Sequence, residues 1–487
     1  MENSTLEETL DPQDWDAMRS LAHQMVDDAL DYLQNVRQRP IWQPIPQDVK
    51  DYLNQPAPMK PEGEVQTYQN FKRYLLPHPM GNIHPRFWGW VMGNGIPYAV
   101  LADMLASTLN PNMAGGEHVP NYVERQVIDW CKEMLGFPKE SSGILVSGGS
   151  MANFVGLSVA RNVMAGYDIR TEGVTAAPMQ MTVYASTETH SSNHKAIELL
   201  GLGKSWMREI PVNDHFQIDI QALKQSLAND NAAGYKPICI IGNAGTVNTG
   251  AIDDLDALAD ICQREGIWFH VDGAFGAIAA MSNELRNLVI GLDRADSLAF
   301  DLHKWMYMPF EAACVLIRDF DHHINTFAAS ADYLTHMTRG IAGDQHPWFG
   351  DLGLQLTRNF RALKVWMTFK AYGLDKFARL VEQNVRQAGY LAHLVEEHPN
   401  LELLADVPLN IVCFRYMKPD MDNEASDDLN QEIMFRLHER GLAVPSYTRL
   451  NGKFALRVAI TNHRSRREDF DFLAAKVVEI GQEITRE

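Results

Sequence analysis

Cysteine is scarce in this chain of 487 residues, which contains only five: Cys131, Cys239, Cys262, Cys314 and Cys413. They are far apart, odd in number and form no CxxC pair, which argues against a disulfide framework and against a zinc site. The sequence also shows no apolar signal segment near its start and no run approaching 18 apolar residues. These absences predict a soluble protein of the reducing cytoplasm, with no membrane partner.

Positive charge is the second deficit. Lys and Arg number 43 against 62 Asp and Glu, a formal charge of −19. A nucleic-acid binder must neutralise phosphates and a lipid-docking protein must attract anionic headgroups, so neither class is expected. The 46% apolar content is that of a globular protein, and the length allows about two to four domains.

The first 85 residues differ in texture from the rest. Apolar residues between Asp16 and Val36 recur at steps of three and four, which predicts a helix. The segment 40–61 contains six prolines and suits an extended arm. Such an arm either contacts a second subunit or links two domains, and the residues alone favour neither interpretation.

From 81 to 374 short β-branched runs alternate with amphipathic stretches, which predicts an α/β domain with a mostly parallel sheet. The predicted strands are 142–147, 181–185, 237–242, 267–272, 297–300 and 313–317, and the predicted helices include 151–164 and 254–265. A long helical stretch over 359–395 then leads to strands at 409–416 and 454–460 around a helix at 427–440. This last part predicts a smaller α+β domain.

Polar residues follow several of these strands, where ligands bind in parallel sheets. The run 147–150, Ser-Gly-Gly-Ser, opens a helix and offers amides to an anion, or is a plain turn. Asp272 ends a strand and either meets a cation or caps a helix. Lys304 follows another strand, where a desolvated amine could form a Schiff base, although a surface lysine is the simpler reading.

His190 and Thr246 come after two further strands. A single histidine is usually structural, and a threonine there fits a polar turn. Together, however, these residues are the set needed to hold pyridoxal phosphate at one edge of the sheet: a phosphate-binding loop, an acid, a lysine, a histidine and a hydroxyl.

With these residues in place, the chain resembles the group II pyridoxal-phosphate-dependent amino-acid decarboxylases, particularly the aromatic-L-amino-acid decarboxylase branch. The resemblance spans nearly the whole chain and is carried by HPRF at 84–87, ADML at 102–105, HVDGAFGA at 270–277, DLHKW at 301–305 and LRVAI at 456–460. It implies fold type I, with a mixed, mostly parallel seven-stranded sheet. It also implies a homodimer whose active sites lie at the subunit interface. The expected divisions are an N-terminal helical dimerisation segment (1–85), a large cofactor-binding domain (86–375) and a small α+β domain (376–487).

The resemblance also implies roles for individual residues. Lys304 would form the internal aldimine, Asp272 would pair with the pyridine nitrogen, and His190 would stack on the ring. Tyr333 matches a mobile-loop tyrosine that protonates the quinonoid carbon. The remaining cofactor contacts are expected from Gly149, Ser150, Thr246, Ala274, Ser297 and His303.

On the substrate side the resemblance implies contacts from Trp88, Trp90 and Arg358, with the tryptophans as flat walls for an aromatic ring. The expected reaction is decarboxylation of an aromatic L-amino acid (tryptophan, tyrosine, phenylalanine or dopa) to the amine and CO2. The alternatives are a decarboxylase of histidine, glutamate, aspartate or 2,4-diaminobutyrate, and an oxidative deaminase or aldehyde synthase. Tyr333 favours simple decarboxylation, since the aldehyde synthases of the family carry Phe there. Asp301 replaces an Asn that many relatives carry.

Overall fold

The computed structural model describes residues 8–328, 337, 339–343, 346–419 and 421–486. The chain begins with three helices, α1 (Trp15–Gln34), α2 (Gln47–Leu53) and α3 (Glu64–Asn70). Helix α1 starts where Asp14 accepts hydrogen bonds from the backbone N–H groups of Asp16 and Ala17, a typical N-cap. The helix predicted at the N-terminus is therefore present, and none of its residues is buried.

The large sheet contains seven strands in the described residues, in the order β2-β8-β7-β6-β5-β3-β4. They are β2 (Ser142–Val146), β3 (Met181–Ser186), β4 (Met207–Ile210), β5 (Lys236–Asn243), β6 (Trp268–Asp272), β7 (Ser297–Asp301) and β8 (Ala313–Ile317). Strand β8 runs in the direction opposite to that of the other six strands. The predicted mixed, mostly parallel seven-stranded sheet is confirmed.

The strands β3, β6, β7 and β8 are buried along their whole length, so both faces of the sheet are covered, and these strands are apolar runs and not alternating patterns. The helices of this part of the chain are α4 (Pro97–Leu109), α5 (Val119–Leu135), α6 (Gly149–Met164), α7 (Ile169–Glu172), α8 (Ser191–Leu199), α9 (Ile220–Ala232), α10 (Leu255–Glu265), α11 (Phe320–Phe327) and α12 (Ala362–Tyr372). In the ranges described above, no helix combines the length and apolar character needed to cross a bilayer.

A second, five-stranded sheet lies in the C-terminal part, in the order β1-β11-β12-β10-β9. It contains β9 (Leu401–Leu403), β10 (Ile411–Tyr416), β11 (Val444–Leu450) and β12 (Lys453–Ala459), packed with α13 (Leu374–Glu397), α14 (Asn423–Glu439) and α15 (Arg467–Ile484). Its edge strand β1 (Phe87–Trp88) comes from the N-terminal side and pairs in parallel with β11. The segment that follows residue 85 thus contributes a strand to the small sheet before the chain enters the large one. The division into three domains stays a prediction.

Two local features differ from the sequence expectations. The long helical stretch over 359–395 is two helices, because Gly373 adopts φ 71° between α12 and α13, a conformation that ends a helix. Strands β1, β4, β9 and β11 were not predicted, and β1 and β9 have only two and three residues. Strand β4 has only four residues, and β11 contains Pro445 and alternates buried with exposed positions over its second half.

Candidate active site

The carboxyl ends of β2, β3, β5, β6 and β7 meet at one edge of the large sheet, because these five strands run in the same direction. Most of the predicted cofactor residues sit there or just beyond: Gly149, Ser150, His190, Thr246, Asp272, Ala274, His303 and Lys304. The sheet therefore assembles, from five separate parts of the sequence, the cluster that the strand-end pattern predicts.

The predicted phosphate loop is the start of α6, whose first residue is Gly149. The first backbone N–H groups of a helix lack partners within the helix and favour an anion. Ser150 is exposed, whereas Gly149 is buried against Asp301. A Cβ on Gly149 would stand 2.9 Å from Oδ2 of Asp301, so glycine lets the loop lie directly on that carboxylate.

Asp272 is the buried acid of the site. Its Oδ2 accepts hydrogen bonds from Nδ2 of Asn153 at 2.8 Å and from Nδ2 of Asn193 at 2.9 Å. Its Oδ1 accepts the backbone N–H of Ala274 at 3.2 Å. No cationic side chain forms an ion pair with Asp272 among the described residues. A buried carboxylate with donors but no counter-ion fits the protonated pyridine nitrogen of pyridoxal phosphate.

Lys304 lies just past β7, with its side chain about one-fifth exposed. Its Nζ is 2.7 Å from Oδ2 of Asp301, a carboxylate that is almost completely buried. The backbone of the segment 91–95 passes close by, since a Cβ on Gly93 would meet the carbonyl oxygen of His303 at 1.9 Å. The amine is thus held by a charge partner at this edge of the sheet, and the backbone that carries it lies against a segment that only glycine allows.

The two histidines of the site are neutral and hold defined tautomers. His190 caps the start of α8, and desolvation by the surrounding protein lowers its pKa. Burial likewise lowers the pKa of His303. Nδ1 of His190 accepts the backbone N–H of Ser192, and Nδ1 of His303 accepts that of Ala312, both at 3.1 Å. Each ring therefore carries its proton on Nε2.

Thr246 and Ala274 complete the edge. The Thr246 hydroxyl is buried and lies 3.1 Å from that of Thr249. The Ala274 carbonyl accepts the backbone N–H of Asp301 at 2.9 Å, which ties the loop after β6 to the end of β7.

Three predicted site residues are placed elsewhere. Ser297 begins β7, and its hydroxyl is taken up by Trp268 and His270. It also lies beside Gly156, seven residues into α6 from the phosphate loop, or roughly 10 Å along the helix. The expected phosphate contact of Ser297 is therefore wrong for this chain.

Trp88 and Arg358 are also corrected. Trp88 is 1% exposed, donates its indole N–H to Ser465 and stacks on Phe470 in the core of the small domain. Arg358 is buried and its guanidinium is paired with Glu124 and with backbone carbonyls. Neither side chain is free to contact a substrate. Trp88 is buried because its ring is apolar, and Arg358 can be buried because its charge is paired. Sequence alone does not distinguish a tryptophan of the core from one that lines a pocket.

Trp90, by contrast, is 54% exposed, with its backbone held by Ser446 and Arg457. Tyr333 lies outside the described residues. Sequence reasoning missed Asn153 and Asn193, the donors to Asp272. Asn153 lies one turn beyond Gly149 on α6, and this spacing could have marked it as a residue near the site. Its partner, Asp272 on β6, is apparent only in three dimensions.

The fold and this cluster define an α/β enzyme of fold type I that uses pyridoxal phosphate. A family model for the pyridoxal-dependent decarboxylase conserved domain matches residues 46–417. An aromatic-L-amino-acid decarboxylase of Bacillus atrophaeus is 32% identical over 96% of this chain and 96% of its own length. A phenylacetaldehyde synthase of Arabidopsis thaliana is 27% identical over 94% of each chain. The crystal structure of Oryza sativa TDC with PLP and tryptamine superimposes with a TM-score of 0.90 at 25% identity, covering 98% of this chain and 100% of that one.

This chain belongs to the pyridoxal-dependent decarboxylase family. It is an amino-acid decarboxylase, and its cofactor is pyridoxal 5'-phosphate.

Proposed function

We propose that this enzyme decarboxylates an aromatic L-amino acid to the corresponding arylalkylamine and CO2. The observation that carries the proposal is the assembly of Lys304, Asp272 and His190 at one edge of the sheet, together with the start of α6. The aromatic preference is supported by the names of the relatives above and by Trp90, whose exposed ring follows the small-sheet strand β1. An indole face is a suitable surface for stacking an aromatic side chain.

Held by these residues, pyridoxal phosphate would supply an electron sink for the electron pair that loss of CO2 leaves on the α-carbon. We assign to Lys304 the amine that attaches the cofactor, and to Asp272 the anion that keeps its ring nitrogen protonated. An opposite charge at about 4 Å contributes about 4 kcal/mol at an effective dielectric of 20, before desolvation. His190, neutral and with its proton on Nε2, is assigned to the ring face. Gly149, Ser150 and His303 are assigned to the phosphate side, and Thr246 and Ala274 to the ring.

We further propose that two copies of the chain associate and share their active sites. The support is a set of apolar side chains that the described chain leaves uncovered. Helix α1 buries none of its residues, and α4 exposes Val100, Met104, Leu105 and Leu109. The four α4 residues recur at steps of one and four, so they lie along one side of the helix, and an exposed apolar stripe is typical of an interface. Sedimentation should show a dimer, and Leu105→Asp should shift it toward monomer with loss of activity. A wild-type monomer with full turnover would contradict the proposal.

A cytoplasmic location is also proposed. All five cysteines are buried and unpaired, as is usual for proteins of a reducing compartment.

The experiment that tests the substrate assignment is turnover on a panel of aromatic amino acids together with histidine, glutamate, aspartate and 2,4-diaminobutyrate. We expect one aromatic substrate to exceed the non-aromatic ones in kcat/KM by at least about tenfold, and Trp90→Ala to raise its KM. Preference for a non-aromatic amino acid, together with an unchanged KM in Trp90→Ala, would refute the aromatic assignment. The assignment to the decarboxylase class would stand.

A second candidate is a decarboxylation-dependent aldehyde synthase, which is favoured by the match to the phenylacetaldehyde synthase. The proposed proton donor Tyr333 separates the two. If protonation by its phenol follows CO2 loss, the wild type forms amine without peroxide and Tyr333→Phe forms aldehyde and peroxide. Peroxide from the wild type would favour the synthase.

A further inference from the structure

A row of buried polar side chains leads from Asp272 into the interior of the protein. Nε1 of Trp268 is 2.8 Å from Oγ of Ser297, which is 2.7 Å from Nδ1 of His270. Nε2 of His270 is 3.0 Å from Oδ1 of Asn153, whose Nδ2 is 2.8 Å from Oδ2 of Asp272. Ser297 and His270 are fully buried, and Asn153 is 1% exposed. The predicted roles of the cofactor residues do not use this row.

The direction of these hydrogen bonds is fixed from the Asp272 end. A carboxylate accepts, so the NH2 group of Asn153 faces Asp272 and its Oδ1 faces Nε2 of His270. Nε2 therefore carries a proton and donates it. Because burial lowers the pKa of His270 to about 4, the ring is neutral near pH 7, so Nδ1 is an acceptor and takes the hydroxyl proton of Ser297. The indole N–H of Trp268 can only donate, and the Ser297 oxygen accepts it.

Both amide hydrogens of Asn153 are then in use. One goes to Asp272 and the other to Oγ of Ser192 at 3.2 Å. The Ser192 hydroxyl lies 2.8 Å from Nδ1 of His190. A single amide therefore connects the acid of the site with His190. If the amide flipped, its oxygen would face the carboxylate, and the two acceptors would repel.

The backbone makes room for this arrangement. Gly156 lies one turn beyond Asn153 on α6, and a Cβ there would stand 2.8 Å from Cε1 and 2.9 Å from Nδ1 of His270. Any side chain at 156 would displace the imidazole or the helix. The helix that opens with the phosphate loop is thus also the helix that seats His270.

We propose that Trp268, Ser297, His270 and Asn153 form a one-directional hydrogen-bond relay that holds the Asn153 amide on Asp272 and so orients this carboxylate for the cofactor nitrogen. His270 and Asn153 are positioning residues, since they act through Asp272. The inference rests on the proposed role of Asp272. The relay delivers an N–H dipole to the buried carboxyl group of Asp272, where a fixed dipole counts for more than it does in water.

The test uses His270→Phe, which keeps the ring volume and removes both ring nitrogens. We expect the dissociation constant for pyridoxal phosphate to rise about tenfold. We also expect the absorption spectrum of bound cofactor to shift toward the form with an unprotonated ring nitrogen. His270→Gln, which can still donate to Asn153, should restore part of both. Ser297→Ala, a smaller change, should act in the same direction if His270→Phe fails to fold.

Asn193 supplies the matched control, because it donates to the same oxygen of Asp272 without contacting His270. In double-mutant cycles on cofactor affinity, His270→Phe should couple to Asn153→Ala and add independently to Asn193→Ala. Unchanged affinity and spectrum in both His270→Phe and Ser297→Ala would overturn the relay, as would equal coupling to both asparagines. If Asp272→Ala itself leaves the spectrum unchanged, the proposed role of Asp272 fails, and the relay fails with it. A changed Asp272→Ala beside unchanged relay variants refutes the relay alone.

Discussion

The buried pair of Arg358 and Glu124 provides a quantitative test of how the large domain is held together. Nη1 of Arg358 donates to the Met113 carbonyl and Nη2 to the Leu145 carbonyl, each at 2.7 Å, and Nη2 also contacts Glu124. The side chains of Arg358 and Glu124 are 1% and 0% exposed. Arg358→Met would leave the Glu124 carboxylate buried without its partner, which costs about 3–5 kcal/mol.

The assay is thermal unfolding of the holoenzyme at fixed protein and cofactor concentration. Arg358→Met should lower the midpoint by several degrees, and adding Glu124→Gln should recover about 2 kcal/mol, because the stranded charge is then gone. The matched control is Arg386→Met, whose pair with Glu284 is 57% and 62% exposed and contributes at most about 1 kcal/mol.

Activity measured per cofactor-loaded site separates a structural role from a substrate-binding one. We expect KM to stay within about twofold of the wild type in the folded fraction of Arg358→Met. An unchanged unfolding midpoint together with a KM raised tenfold or more would refute the structural reading and reinstate Arg358 as a substrate ligand.

Three further outcomes are expected. Asp301→Asn removes a negative charge beneath the phosphate loop and releases Lys304, so titration should show a cofactor dissociation constant at least several-fold lower; a higher constant would contradict this. Gly93→Ala places a Cβ 1.9 Å from the His303 carbonyl, so cofactor binding should be largely lost while circular dichroism shows a folded protein; normal binding would show that the segment yields. The pKa of His323 is lowered by burial from 6.5 to about 4, so the unfolded state binds more protons between these values. Unfolding free energy should therefore fall by about 3 kcal/mol from this group alone as pH drops from 6.5 to 4, and His323→Gln should flatten that slope.

The strand-end pattern was sufficient to predict six of the seven strands of the large sheet, all but β4, and most of the cluster at its edge. Asp272 ends an apolar strand, and Gly149, His190 and Lys304 lie three or four residues beyond one. Parallel strands bring such positions together whatever their separation in sequence. That part of the prediction depends only on local periodicity and on strand direction.

The errors have a different physical origin. Ser297 was expected near the phosphate, but it begins its strand while the cofactor cluster sits at the strand's end. Trp88 was expected in a pocket, but strand β1 inserts it into the small domain. In both cases the partner is more than 25 residues away along the chain, at Trp268 and Ser465. Residue type and spacing do not identify such partners.

The decisive measurement follows CO2, amine and hydrogen peroxide together during turnover of the holoenzyme on aromatic L-amino acids, with Lys304→Ala as the blank. We expect amine and CO2 in a one-to-one ratio, no peroxide, and no turnover by the blank. Peroxide and aldehyde accompanying CO2 would contradict the assigned reaction, and turnover by Lys304→Ala at the wild-type rate would contradict the assigned site.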